Sequence, residues 1–178
     1  GDAAHQVLID DNSIIGSDSS AIQSCFYGKV SITNNRIHDN GSESTESVIW
    51  IQPFNHSTHT VTLDNNSISN NQGTNTLFTN GQVTESSNHS ITGNNFSGNN
   101  TTYDVRHASG SGPPPNFLNN NWWGTTNDTE IQARIFDWND DVSYNFVDYT
   151  PFLTAPDTTA PPSPPQNVAA QTGPTTIS

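Results

Sequence analysis

Four permanent cations stand in a chain of 178 residues: Lys29, Arg36, Arg106 and Arg134. Lys29 precedes the stretch VSITNNRI and Arg36 stands near its end, and Asp10, Asp11 and Asp64 fall in similar stretches on either side. A cation beside carboxylates could neutralise an acidic substrate while a neighbouring base removes a proton. No acid cluster recurs with a base between its members, so solvated side chains are the stronger reading. Lys29 and Arg36 are the weak catalytic candidates. A second constellation starts at Asp137, in DWNDDVSYNFVD: Asp137, Asn139 and Asp141 match positions one, three and five of a calcium loop. That loop requires a glycine where Val142 stands and a glutamate where Asp148 stands. Calcium is the one cofactor the pattern could take, and an acidic helix exit explains the same residues. His56 and His59, in HSTH, have a spacing that suits a helix, yet their segment and that of His89 read as strand, which argues against zinc.

The bulk composition bounds the classes of function. Apolar residues make up 30% of the chain and the formal net charge is −13, values that lean towards disorder. Charged residues are only 12%, however, and the polar remainder is Asn, Ser and Thr in a regular pattern. So acidic a chain lacks the basic stripe that nucleic acid or an anionic membrane surface requires. No apolar run approaches 18 residues, so no insertion into a bilayer is expected. Cys25 is the lone cysteine, which rules out an internal disulfide; it reads as a small buried apolar residue within AIQSCFYG. The chain starts in mid-pattern and reads as a piece of a longer protein.

Stepping from side chains to the elements that hold them, one frame recurs five times: VLIDDNSI, VSITNNRI, VTLDNNSI, HSITGNNF and PNFLNNNW. In each, an apolar residue precedes an Asn by three positions and another follows it by two. The pairs are Ile9/Ile14, Ile32/Ile37, Leu63/Ile68, Ile91/Phe96 and Phe117/Trp122. The asparagines are Asn12, Asn35, Asn66, Asn94 and Asn120, spaced 23, 31, 28 and 26 residues apart, a solenoid period. Apolar residues alternate within each frame, as in a strand, and a shorter apolar run follows it. Stacked coils would pair each strand with its equivalent one turn on, about 4.8 Å away. Asn suits the corners because it tolerates the left-handed conformation and can bond its neighbours in a ladder.

The frame resembles the right-handed parallel β-helix repeat of the pectate-lyase-like superfamily, over roughly residues 5 to 153. The expected fold class is therefore all-β, a right-handed parallel β-helix (solenoid) with a short C-terminal capping helix. Trp122 would cover the last coil, Gly124 would let the chain turn away, and Asn127 with Glu130 would start a helix. That helix would lay Ile131, Ile135 and Trp138 over the open end, leaving Trp123 as a second cap ring or a sugar-stacking platform. The run NNWWGTTNDTEIQARIFDWNDD resembles the closing segment of secreted β-helix proteins. Residues 1–153 are thus assigned to coils and cap, and 154–165 to a stiff proline-rich linker. The remainder, 166–178, resembles the opening of a fibronectin type III segment, with the tail disordered or loosely docked.

For function, these features point to a non-catalytic scaffold or glycan-facing binding module of a larger extracellular or cell-surface protein. Its expected partners are a polysaccharide and other domains of the same chain. The resemblance implies a rival, the C-terminal part of a polysaccharide lyase or epimerase, whose active sites set a Lys, Arg or His base beside acids. A self-assembling extracellular filament is the third class.

Overall fold

The computed structural model describes residues 6–26, 28–53, 60–80, 89–108, 118–144 and 146–164. Within them the chain winds as a parallel β-solenoid with three sheets. The first sheet stacks β1 (Gln6–Asp10), β4 (Lys29–Thr33), β7 (Thr60–Asp64) and β10 (His89–Thr92). The second stacks the three-residue strands β2 (Ser13–Ile15), β5 (Arg36–His38), β8 (Ser67–Ser69) and β11 (Asn95–Ser97). The third holds β3 (Ile22–Phe26), β6 (Ser47–Pro53), β9 (Gln72–Asn80), β12 (Asn100–Ala108) and the short β13 (Ile135–Phe136).

The register explains how so few apolar residues suffice. Ile9, Ile32, Leu63 and Ile91 align in one column, and Ile14, Ile37, Ile68 and Phe96 in a second. Ile22, Ile49, Leu77, Val105 and Ile135 align in a third. From the second coil on, these side chains are fully or almost fully buried, each covered above and below by its own kind. Each coil therefore needs about one large aliphatic residue per sheet, supplemented by a few neighbours such as Val30 and Ile51.

The corners on either side of the second sheet are polar and buried. At the first, Asn12, Asn35, Asn66, Asn94 and Asn121 form a continuous ladder. The Asn66 Oδ1 accepts from the Asn35 main-chain N at 2.9 Å and from its Nδ2 at 3.0 Å. The Asn66 Nδ2 donates to Ile32 O, Asp64 O and the Asn94 Oδ1. At the second corner, five residues on, Asn40, Asn71 and Asn99 repeat the arrangement. The residue before each rung is left-handed: Asp11, Asn34, Asn65, Gly93 and Asn120 at one corner, Asp39, Asn70 and Gly98 at the other. Only Asn, Asp and Gly take that conformation at low cost.

Three expectations are corrected here. The fifth frame is displaced by one: Leu118, Asn121 and Trp123 occupy the slots assigned to Phe117, Asn120 and Trp122. Asn120 is the exposed left-handed residue before the rung, and Phe117 lies outside the described residues. Trp123, 4% exposed, stacks on Phe96 with ring centroids 5.0 Å apart and so closes the core, while Trp122 is only half-buried. Second, Trp138 is 51% exposed. The helix α1 spans only Asp128–Gln132, so the face that would have carried Trp138 never forms. Ile131 packs from the helix and Ile135 from β13, beside Val105. Third, Cys25 lies exposed on β3.

The proline-rich tail docks. Asp157 exchanges two hydrogen bonds with Asn95, Ser163 Oγ meets Ser67 Oγ at 2.7 Å, and Arg36 Nε donates to Pro162 O at 3.2 Å. Ala160, within this strap, is buried. Residues 154–164 therefore run over the outer side of the second sheet, and residues 165–178, with the fibronectin-like stretch, lie outside the described set.

Candidate binding cleft

Where the chain leaves the last coil, a gap opens between the solenoid and its cap. Gly124, left-handed at φ 78°, carries the chain away, and a Cβ there would come into van der Waals contact with Phe96 O and Ser97 Cα. Asn127 then caps α1 by accepting from Thr129 N at 3.1 Å, which fixes the helix start. The cleft left between β11, β12 and α1 has a volume of about 450 Å3, within the usual range for small-ligand sites.

Its floor is an ion pair. Arg134 Nε and Nη2 reach the two oxygens of Asp104 at 2.7 and 2.9 Å, and Nη2 also donates to Asn99 O and Thr101 Oγ1. Asp104 is buried, and its hydrogen bond outweighs burial in pushing the guanidinium's already high pKa further up. Arg134 is thus a fixed, permanently charged, planar donor. At the rim, Glu130 accepts from Thr125 Oγ1 at 2.8 Å and from Asn127 Nδ2 at 3.0 Å. Phe96 and Trp123 line the apolar side, Ser97 adds a hydroxyl, and Trp123 Nε1 is buried with no hydrogen-bond partner among the described residues. Trp123 itself cannot serve as an open stacking platform, because Phe96 covers it.

The weak catalytic candidates do not converge. Lys29 is exposed at the start of β4 and Arg36 belongs to β5 in another sheet. Asp10 and Asp64 sit at the far ends of β1 and β7, four residues along from the Lys29 position, roughly 13 Å away. Asp10 accepts from Thr33 and Asn34, which hold its carboxyl below the usual range. Burial pushes the Asp64 carboxyl up, although Ser90 and Thr92 N bond it. Asp11 serves as a left-handed corner.

The calcium candidates are occupied by their own loop. Asp137 is fully buried, and its two oxygens accept from Asn139 N and Val147 N at 2.9 Å each. Asp141 accepts from Ser143, and Asp148 from Thr150. Asn139 contributes its main-chain N–H to this network. Among the described residues no group of three or more His, Cys, Asp or Glu could hold a metal ion. His56, His59 and the His89 side chain lie outside them. Asp104 and Arg134 escaped the sequence reading because they meet only through the return of the cap, 30 residues on.

Comparison of the chain with protein-family models, with curated proteins and with solved structures finds no match. Among the described residues no helix is long and apolar enough to cross a membrane.

Proposed function

We propose that this chain is a rigid extracellular β-solenoid module that holds a saccharide in the cleft between its last coil and its cap. The observation that carries the reading is the cleft's composition: a fixed guanidinium, a carboxylate and hydroxyls beside the edge of the Phe96–Trp123 stack, within about 450 Å3. Polyols are recognised by such sets, in which a few preorganised polar groups fix orientation against apolar surface. A neutral sugar fits better than a uronic acid. Arg134 is already neutralised by Asp104, Glu130 stands at the rim, and the whole chain carries −13. The separation of Lys29 from the acids gives no support to a lyase or epimerase reading.

The test is a screen of neutral and acidic oligosaccharides, followed by calorimetry on the best ligand. Glu130→Gln and Thr125→Ala, both on the rim, should weaken binding at least about tenfold, the cost of one charge-assisted hydrogen bond. Affinity unchanged in both variants would refute the cleft as the site.

A further inference from the structure

On the outer side of the second sheet, away from the cleft, three side chains form a relay. The column Ile14, Ile37, Ile68, Phe96 points inward, so the flanking residues Ser13 and Ile15 of β2, and Arg36 and His38 of β5, face outward. His38 Nδ1 lies 2.7 Å from Asp39 Oδ2, and His38 Nε2 lies 3.4 Å from Ser13 Oγ. An ionised carboxylate only accepts, so Nδ1 carries the proton and the Nε2 lone pair faces the serine hydroxyl. Asp39 is itself oriented. It occupies a left-handed corner at φ 56°, and Asn70, at the equivalent corner one coil on, donates to its other oxygen. The hydrogen bond from His38 holds the Asp39 carboxyl below the usual carboxylate range. His38 is 7% exposed, while Ser13 lies open at the surface.

We propose that Ser13, His38 and Asp39 form a nucleophile–base–orienting triad that hydrolyses short-chain acyl esters. Nucleophile, base and orienting acid stand in the order acyl transfer requires, and a loose nucleophile–base contact is usual before substrate arrives. Ser13 Oγ attacks the ester carbonyl carbon as its proton passes to His38 Nε2. The bond from carbon to the leaving oxygen breaks, and His38 returns the proton to that oxygen, releasing the alcohol. Water, deprotonated by the same Nε2, then attacks the acyl carbon; the acyl–Ser13 bond breaks, the proton passes from Nε2 to Ser13 Oγ, and the carboxylic acid leaves.

Arg36 supplies the oxyanion stabilisation. It is the register partner of Ser13 on the same outer face, and its Nε is tied to Pro162 O by the docked tail. Its Nη groups are the donors for the developing oxyanion. The acyl chain is short because the apolar side chain that β2 sets beside the triad, Ile15, is small and 58% exposed. An acetyl-sized group matches it, whereas a fatty acyl chain would remain in water.

The experiment uses the full chain with p-nitrophenyl acetate, and separately with a fluorophosphonate probe followed by peptide mass spectrometry. A probe adduct on the Ser13 peptide is expected. Ser13→Ala and His38→Ala should lower the ester rate by at least about 100-fold, the scale of a nucleophile–base pair, and Asp39→Asn by at least about tenfold. Ser31→Ala, on the first sheet, should leave the rate unchanged. Ser13 is exposed and its loss disturbs no core contact, so that variant reports on chemistry even where His38→Ala unfolds. No adduct on Ser13, or an equal rate in Ser13→Ala and the parent, overturns the proposal.

Discussion

Truncating Asn66 to alanine probes the ladder at its centre. The change removes an oxygen that accepts from the Asn35 main-chain N–H and an amide that donates to Ile32 O, Asp64 O and the Asn94 Oδ1. The Asn94 oxygen keeps the Asn66 main-chain N–H as a donor, and the Asn35 amide keeps Ile9 O and Thr33 O. What is orphaned is therefore one fully buried N–H, while Ile32 O and Asp64 O each lose one donor, Asp64 O keeping the Asn34 main-chain N–H. An unsatisfied buried donor costs about 1–3 kcal/mol, and each carbonyl, with a second lone pair, about 1 kcal/mol. The expected loss is about 3–5 kcal/mol, a large share of the ~5–15 kcal/mol that holds a domain folded. For a chain of this size that lowers the Tm by about 10 °C or more. Asn71→Ala, in the interior of the second ladder, should cost a similar amount. Asn12→Ala, at an exposed end rung, should cost much less. Urea melts followed by circular dichroism would measure all three. Equal losses for Asn66→Ala and Asn12→Ala would refute the argument that a rung derives its value from neighbours on both sides.

Two further outcomes follow from the cap. Trp123→Ala removes the ring that closes the core and should cost about 3–5 kcal/mol, whereas Trp138→Ala should stay within about 0.5 kcal/mol of the parent; thermal melts of the pair would check this. Tyr149 has a phenol pushed up to about 12, first by burial and then by its 2.8 Å hydrogen bond to Asp128. Its folded-state pKa exceeds the unfolded value near 10, so its stabilising contribution is complete below pH ~10 and fades as pH rises towards ~12. Phenolate absorbance should show one tyrosine ionising late, a step absent in Tyr149→Phe; ionisation of all four together would count against it.

Most of the coil architecture was legible because stacking imposes one register on every turn. Four frames, from Ile9/Asn12/Ile14 to Ile91/Asn94/Phe96, occupy the slots their spacing assigned. The fifth slipped because FLNNNWW satisfies the same rule twice, through Phe117/Asn120/Trp122 or Leu118/Asn121/Trp123. What decides between them is which aromatic ring stacks on Phe96, a tertiary fact. The second ladder did leave a signal. The pairs Asp39-Asn40, Asn70-Asn71 and Gly98-Asn99 each follow a first-ladder rung by five residues, and each opens with a residue that tolerates the left-handed conformation. Asn40 precedes Gly41, as in an ordinary surface Asn-Gly turn, yet it is buried. The cap was harder to read, since helical spacing from Ile131 to Trp138 holds only while the helix continues, and the chain enters β13 instead. Neither the Arg134–Asp104 pair nor the Ser13–His38 contact could be seen, because each joins residues separated by at least 25 positions.

The docked tail also sets how the molecule answers mechanical load. Force applied to the chain beyond Pro164 falls first on the contacts at Pro162 and Ser163, and then on Asp157. These hydrogen bonds lie one after another along the strap, so they rupture singly, as in an opening zipper. The parallel coils behind them share load across many rungs and must shear together. Peeling Asp157–Pro164 releases about 25 Å of contour while the rod stays intact. Under such a load the strap would therefore give way before the coils do.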